Sequence, residues 1–448
     1  MELEFAPPRR IVADLSATFG SRMFAMLLAL VGNVLSARAL GPVDFGRFGL
    51  VMAVVTICGT LADLGLTYTA VKFIAQYMEA KDRRAGLIAR LYFGLRALTG
   101  TLTALLVFLL SEPVARGVLG QPNLTPYLQA GSLTLVALAI SSYPSTLLIA
   151  LGQFGRLGIA GVLNASITLA GILLLLAGGS LNLTSLVLWN VALPLVSTLP
   201  AWFLLPARWL PWRGERTVDE RRPIGDPSSI VLRPSSAELM RTMFGFSKWI
   251  FFSNLGSIIV AQGDLLLLGR LSDPATVGVY SVALTLAMRL DVLNQSLFTV
   301  MMPRASRLRG REEIRGYLRR VLGGSLALAG LLGMSALVAQ PAIGLLYGER
   351  YTQAAPLFMA LLLVVLFDLV TSSLFLVAFP LDKPRVLAFA DWLRVGVLGI
   401  SGWLLIPIYG GFGAVVARLL ARVTGTGVAL LGLRRAIADD GRRMTNDE

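Results

Sequence analysis

The 448-residue sequence contains no histidine and a single cysteine. Without histidine there is no Ser–His–Asp triad, no histidine proton relay and no zinc site of the usual kind. Cys58 stands alone within an apolar run, so no disulfide framework can form. Charge is scarce too: Asp, Glu, Lys and Arg make up 15% of the chain, against about 25% in soluble domains. That scarcity excludes a large water-soluble enzyme. Lysine is reduced to Lys72, Lys81, Lys248 and Lys383. The phosphate-cradling pattern G-x-x-x-x-G-K-[ST] is also missing, which excludes nucleotide hydrolysis by that route.

What remains is apolar. Hydrophobic residues make up 55% and the mean hydropathy is +0.72. At about 20 residues per crossing this composition supplies roughly a dozen membrane spans. Spans are expected near 16–39, 47–71, 91–111, 127–150, 157–179, 184–205, 243–269, 275–303, 321–340, 353–378, 386–409 and 411–433. Alternate loops divide the basic residues unequally, with 28 Lys and Arg on one side and five (Arg38, Arg47, Arg116, Arg270, Arg350) on the other. The positive-inside rule then places both termini in the cytoplasm. The net charge of +14 is read as this loop bias and not as a nucleic-acid surface. Ala37-Arg38-Ala39 is like a signal-peptidase site, but the stretch before it carries Arg22 and Asn33 and is long enough to span, so no cleavage is expected.

The expected organisation is all-α: a polytopic membrane protein of about twelve helices in two parallel-repeat six-helix lobes around a central cleft. Residues 1–15 form a cytoplasmic N-terminal segment, 16–205 the N-lobe and 243–433 the C-lobe. The Arg-, Pro- and Ser-rich 206–242 is a cytoplasmic linker, and 434–448 a cytoplasmic tail. The two halves echo each other. Arg38-x3-Pro42-x3-Gly46-x-Phe48 and Arg270-x3-Pro274-x3-Gly278-x-Tyr280 share the pattern R-x3-P-x3-G-x-[FY], 232 residues apart. Each copy falls between the first and second spans of its half and reads as a tight helix–turn–helix. Six crossings per half return the chain to the same side, so the repeat axis lies along the membrane normal, as in alternating-access transporters.

Arg38-Ala39-Leu40-Gly41-Pro42…Phe45-Gly46…Phe48, followed by Ala62-Asp63-Leu64-Gly65-Leu66, resembles the opening of bacterial polysaccharide flippases. These are the O-antigen and exopolysaccharide translocases of the multidrug/oligosaccharidyl-lipid/polysaccharide exporter superfamily. Gln262-Gly263-Asp264-Leu265-Leu266-Leu267-Leu268-Gly269 and Val277-Gly278-Val279-Tyr280 are similar to that family's seventh span and following turn. The resemblance implies a flippase moving undecaprenyl-diphosphate-linked oligosaccharide across the bacterial inner membrane for cell-surface polysaccharide biosynthesis, through a cationic cleft between the lobes. It implies membrane lipids as partners, with polysaccharide polymerase machinery beside them. No enzyme activity and no cofactor or metal are expected. The related lipid II flippases carry fourteen spans, whereas twelve here favour the capsule and O-antigen branch.

Charges within the spans point to a site, because an ionisable group at mid-bilayer is costly unless it faces a cavity or a partner. Seven cations (Arg22, Arg96, Lys248, Arg289, Arg394, Arg418, Arg422) stand against five anions (Asp63, Asp264, Asp291, Asp368, Asp391). Arg22 and Asn33 share a helix face, being eleven residues apart, and Lys248 and Gln262 share another. Arg96, Thr99 and Thr103 form a third polar stripe. Arg22, Asn33, Arg96, Lys248, Gln262 and Arg289 are therefore the candidate contacts to an anionic lipid head, arginine suiting phosphate through paired hydrogen bonds. Asp264, Asp291 and Asp368 are the candidates for ion coupling. A structural reading stands beside each: Asp391 and Arg394 can pair within one helix, and Arg418 and Arg422 can answer Asp368 or Asp391 across helices. The stretch Arg304–Arg320 reads as an amphipathic surface helix on anionic lipid, or as positive-inside topology alone.

Two other functions compete with this one. An ion-coupled multidrug exporter of the same superfamily would need an anionic, aromatic cleft for organic cations. A membrane glycosyltransferase or polymerase would need paired carboxylates on a sizeable outer loop, where only isolated ones such as Asp44 and Glu112 occur.

Overall fold

The structure is a computed structural model, and it describes residues 8–79, 84–211, 236–305, 311–378 and 384–444. Most of the expected linker, and parts of the N-terminal segment, the Arg304–Arg320 stretch and the tail, lie outside these residues.

The first helix runs from Pro8 to Asp63 but breaks at Gly41 (φ 72°, ψ 173°), giving α1 (8–40) and α2 (42–63). The turn expected at Pro42 is thus a one-residue kink. Glycine alone takes that φ without strain, and proline's fixed φ starts the next helix. The expected span 47–71 is shorter than its apolar run suggested. Leu64 (φ 49°) and Gly65 (φ 73°) are both left-handed and end α2, after which α3 (Leu66–Glu79) sets off in a new direction.

The N-terminal lobe continues with α4 (Arg84–Leu109), α5 (Thr125–Ala150), α6 (Phe154–Ala177) and α7 (Leu183–Leu204). The C-terminal lobe comprises α8 (Ser236–Leu271), α9 (Pro274–Ala305), α10 (Arg311–Gly333), α11 (Ser335–Tyr347), α12 (Ala354–Ala378), α13 (Pro384–Tyr409) and α14 (Gly411–Met444). Asp273 caps α9, its carboxylate accepting from the Thr276 amide at 3.0 Å, with Pro274 at the first helical position.

Among the described residues ten helices are long and apolar enough to cross a membrane. The first of them, 20–63, covers two expected spans through its kink, and the shorter apolar Pro274–Leu290 supplies another. An apolar helix thus lies in each of the twelve expected stretches, and the protein is a multi-pass membrane protein.

Packing repeats between the halves. α1 packs on α6 as α8 packs on α13, α4 on α5 as α10 on α12, and α6 on α7 as α13 on α14. Small residues allow the close approaches: Gly32 meets Ile172, and Gly256 meets Asp391. At the end of the bundle carrying the two motifs, called here the motif end, one apolar core joins both lobes. Phe45, Leu50 and Val51 of α2 share it with Leu265, Val277, Val282 and Ile343 of the other lobe. Toward the opposite, basic end, a second cluster is built by the N-terminal lobe alone, from Leu66, Ala70, Ile88, Leu147 and their neighbours.

Candidate functional site

Each lobe neutralises its own buried aspartates. In the C-terminal lobe Asp264 of α8 is 0% exposed and Arg418 of α14 is 3% exposed. Arg418 donates from Nε to Oδ2 at 2.5 Å and from Nη2 to Oδ1 at 2.9 Å, while the Tyr280 hydroxyl also donates to Oδ2. The remaining reach of the guanidinium goes to the Ala261 carbonyl at 2.7 Å. Such saturation is what a buried ion pair requires. Exchange of Asp264 with a coupling ion would have to open this pair.

Next to it, Arg422 lies 3.4 Å from Asp368, and both line a small cavity of about 30 Å³ with Arg418, Leu284, Met288 and Val364. That volume holds about one water. Asp391 pairs with Arg394 within α13 at 2.8 Å and accepts from Ser253 of α8 at 3.0 Å. In the N-terminal lobe Arg96, 6% exposed, lies 3.5 Å from Asp63 and 3.4 Å from the Ser142 hydroxyl. Thr67 donates to the same aspartate, and its hydroxyl lies 3.1 Å from that of Tyr92. Arg96 thus sits inside a lobe, apart from the other candidate contacts.

The remaining candidates occupy helices through which the lobes meet: the stretch 8–63 packs on α8 and α9, and within it α1 meets α11. Tyr347 of α11 crosses between lobes, donating to Asn33 Oδ1 of α1 at 3.0 Å. The same tyrosine lies within electrostatic reach of Arg289, which is half-buried on α9. Tyr347, a residue that periodicity did not single out, therefore ties Asn33 to the other lobe on the side where Arg289 lies. Its hydroxyl at the end of an apolar run reads from sequence as a membrane-interface anchor. Tyr351, one turn on, donates to the Ala37 carbonyl at 2.8 Å.

Arg22 is exposed and shares the Asn33 face of α1, about 16 Å nearer the basic end at 1.5 Å per residue. On that face Asn33 touches the other lobe. On α8, Lys248 is exposed and Gln262 half-buried. Ser247, beside Lys248, meets the N-terminal lobe: its carbonyl would lie 2.8 Å from a Cβ placed on Gly65. The side chain of Asp291 lies outside the described residues.

Known proteins share this sequence and shape. Residues 11–309 match the model of the family described as polysaccharide biosynthesis protein. A relative in Haloferax volcanii, named probable flippase AglR, is 25% identical over 208 residues, covering 44% of this chain and 42% of that protein. The match therefore spans less than half the length of that relative. Among solved structures, the lipid II flippase MurJ in an inward closed conformation has a TM-score of 0.72 at 13% identity, covering 93% of this chain and 87% of its own. An inward-facing multidrug resistance MATE family transporter of the MOP superfamily has a TM-score of 0.67 at 18% identity, covering 92% and 95%. The eukaryotic MATE transporter AtDTX14 gives 0.66 at 15%, covering 95% and 98%. At these identities the likeness is one of fold, the two-lobed helical fold described above.

Proposed function

This chain belongs to the polysaccharide biosynthesis protein family, and from that premise we propose that it is a flippase for a lipid-linked oligosaccharide. The substrate is the undecaprenyl-diphosphate form, carried from the cytoplasmic to the outer leaflet of the bacterial inner membrane for surface polysaccharide assembly. The lobes rock between inward-open and outward-open states, both termini stay in the cytoplasm, and the polyprenyl tail remains in lipid. The named activity of the archaeal relative supports a flippase.

One observation carries the substrate class. Four aspartates of the spans each face an arginine within one lobe: Asp63 with Arg96, Asp264 with Arg418, Asp368 with Arg422 and Asp391 with Arg394. Arg22 and Arg289 lie outside these pairs, on interlobe helices. In this reading these two arginines give the cleft its cationic character, which suits a diphosphate through charge-assisted hydrogen bonds and repels organic cations. Asn33, Lys248 and Gln262 add polar contacts along the same route. Ion coupling falls to the C-terminal lobe, where Asp368 borders a water-sized cavity; Asp291 shares α9 with Arg289, and Asp264 takes part by releasing Arg418.

The test is translocation of a fluorescent undecaprenyl-diphosphate oligosaccharide in proteoliposomes. Wild-type transport that is lost in Arg289→Ala and Arg22→Ala supports the reading. Efflux of a cationic dye without lipid translocation would assign the protein to drug export instead.

A further inference from the structure

The repeated motif is not used up by the turns that it forms. Its two copies touch. A Cβ placed on Gly278 would lie 1.9 Å from the Pro42 carbonyl oxygen, and one placed on Gly46 would lie 2.2 Å from the Pro274 carbonyl oxygen. Each glycine therefore receives the proline carbonyl of the opposite lobe, and the pair of contacts obeys the pseudo-two-fold relation between the lobes. Only a residue without a side chain permits backbones this close.

The arginines of the motif cross as well. Arg38 donates to the Leu345 carbonyl of the C-terminal lobe at 2.7 Å. Arg270, its equivalent, lies against Gly120 of the N-terminal lobe, its guanidinium 2.7 Å from where a Cβ would sit. Next to Arg270, the Gly269 carbonyl accepts from Gln121 at 3.4 Å. In each copy, then, the arginine and the glycine reach the other lobe, and the proline offers its carbonyl. Around them lies an apolar core that both lobes share.

We infer that the repeated R-x3-P-x3-G-x-[FY] motif is a gate: its two copies close the motif end of the lobe interface by packing on each other, and part when that end opens. A turn motif needed only for local folding has no reason to place its glycine against the other lobe's backbone. Chain geometry accounts for a kink at Gly41, but it does not account for glycine at 46 and 278, which lie inside helices.

The gate is testable without any substrate, so its failure is separate from failure of the flippase reading. Ala37 is fully buried at the closed interface, so Ala37→Cys in a Cys58→Ser background reports opening. The probe is a membrane-impermeant charged methanethiosulfonate, added to spheroplasts and to inverted vesicles. Gly278→Ala is expected to raise labelling from one face only, by about tenfold, the shift that about 1.4 kcal/mol of lost closure gives. Gly330→Ala, where nothing lies within 4 Å of an added Cβ, should leave labelling unchanged. If Gly278→Ala does not yield a monodisperse protein, Arg38→Ala with Arg270→Ala removes the crossing side chains without touching the backbone contact, and its labelling decides. Unchanged labelling in every variant that folds overturns the gate.

Discussion

Arg418 reaches Asp264 across 154 residues of chain with two hydrogen bonds, tying α14 to α8 through a buried pair. Removing either partner leaves a buried charge uncompensated, which costs far more than the pair contributes. Asp264→Ala or Arg418→Ala should therefore lower stability by about 3–5 kcal/mol, read as a fall in Tm in detergent. Replacing both with apolar residues of similar volume should recover most of that loss. A single replacement with an unchanged Tm would mean that the pair is solvated.

The break at Leu64–Gly65 makes two predictions of opposite sign. Leu64 holds φ 49°, a conformation costly for a residue with a Cβ, so Leu64→Gly should be neutral or stabilising, by up to about 1 kcal/mol. Gly65→Ala meets both a left-handed φ of 73° and the Ser247 carbonyl 2.8 Å from the added Cβ. It should destabilise by more than about 1 kcal/mol. Both are checked by thermal unfolding, and equal effects would rule out backbone strain at this site.

Tyr347→Phe removes the cross-lobe bond to Asn33 while keeping the ring. A net hydrogen bond contributes about 1 kcal/mol, so the closed-to-open ratio of the motif end should fall about fivefold, with a matching rise in the open fraction. Labelling of the Ala37→Cys reporter measures it. Asn33→Ala should give the same increase, and the double variant no more than either alone.

At position 289 the shape of the cation should matter as well as its charge. Arg289→Lys keeps the charge but loses the planar fork, so translocation in proteoliposomes should fall between wild type and Arg289→Ala. Equal rates for the lysine and alanine variants would show that paired hydrogen bonding, not charge, is what the site supplies. Full activity for both would remove Arg289 from the site.

Much of the architecture is legible in the sequence, because it rests on local properties. The length of apolar runs is set by bilayer thickness, and the polar break near 206–242 and the 232-residue echo can be counted along the chain. Pairing of Asp391 with Arg394 was equally visible, since three residues place them on one helix face. The expected length of the second span was not, because apolar composition continues unchanged through Leu64 and Gly65 while the backbone turns.

The sequence by itself determined twelve crossings, two equivalent halves and an excess of positive charge within the membrane, all of which follow from hydropathy and counting. Which charges cancel was decided only by tertiary structure. Asp264 finds Arg418, Asp368 finds Arg422 and Asp63 finds Arg96 across separate helices, and no periodicity links partners that meet through packing. The same holds for the motif. Its repetition was written in the chain, but that its two copies meet depends on how the two lobes dock, and so on shape complementarity summed over many residues.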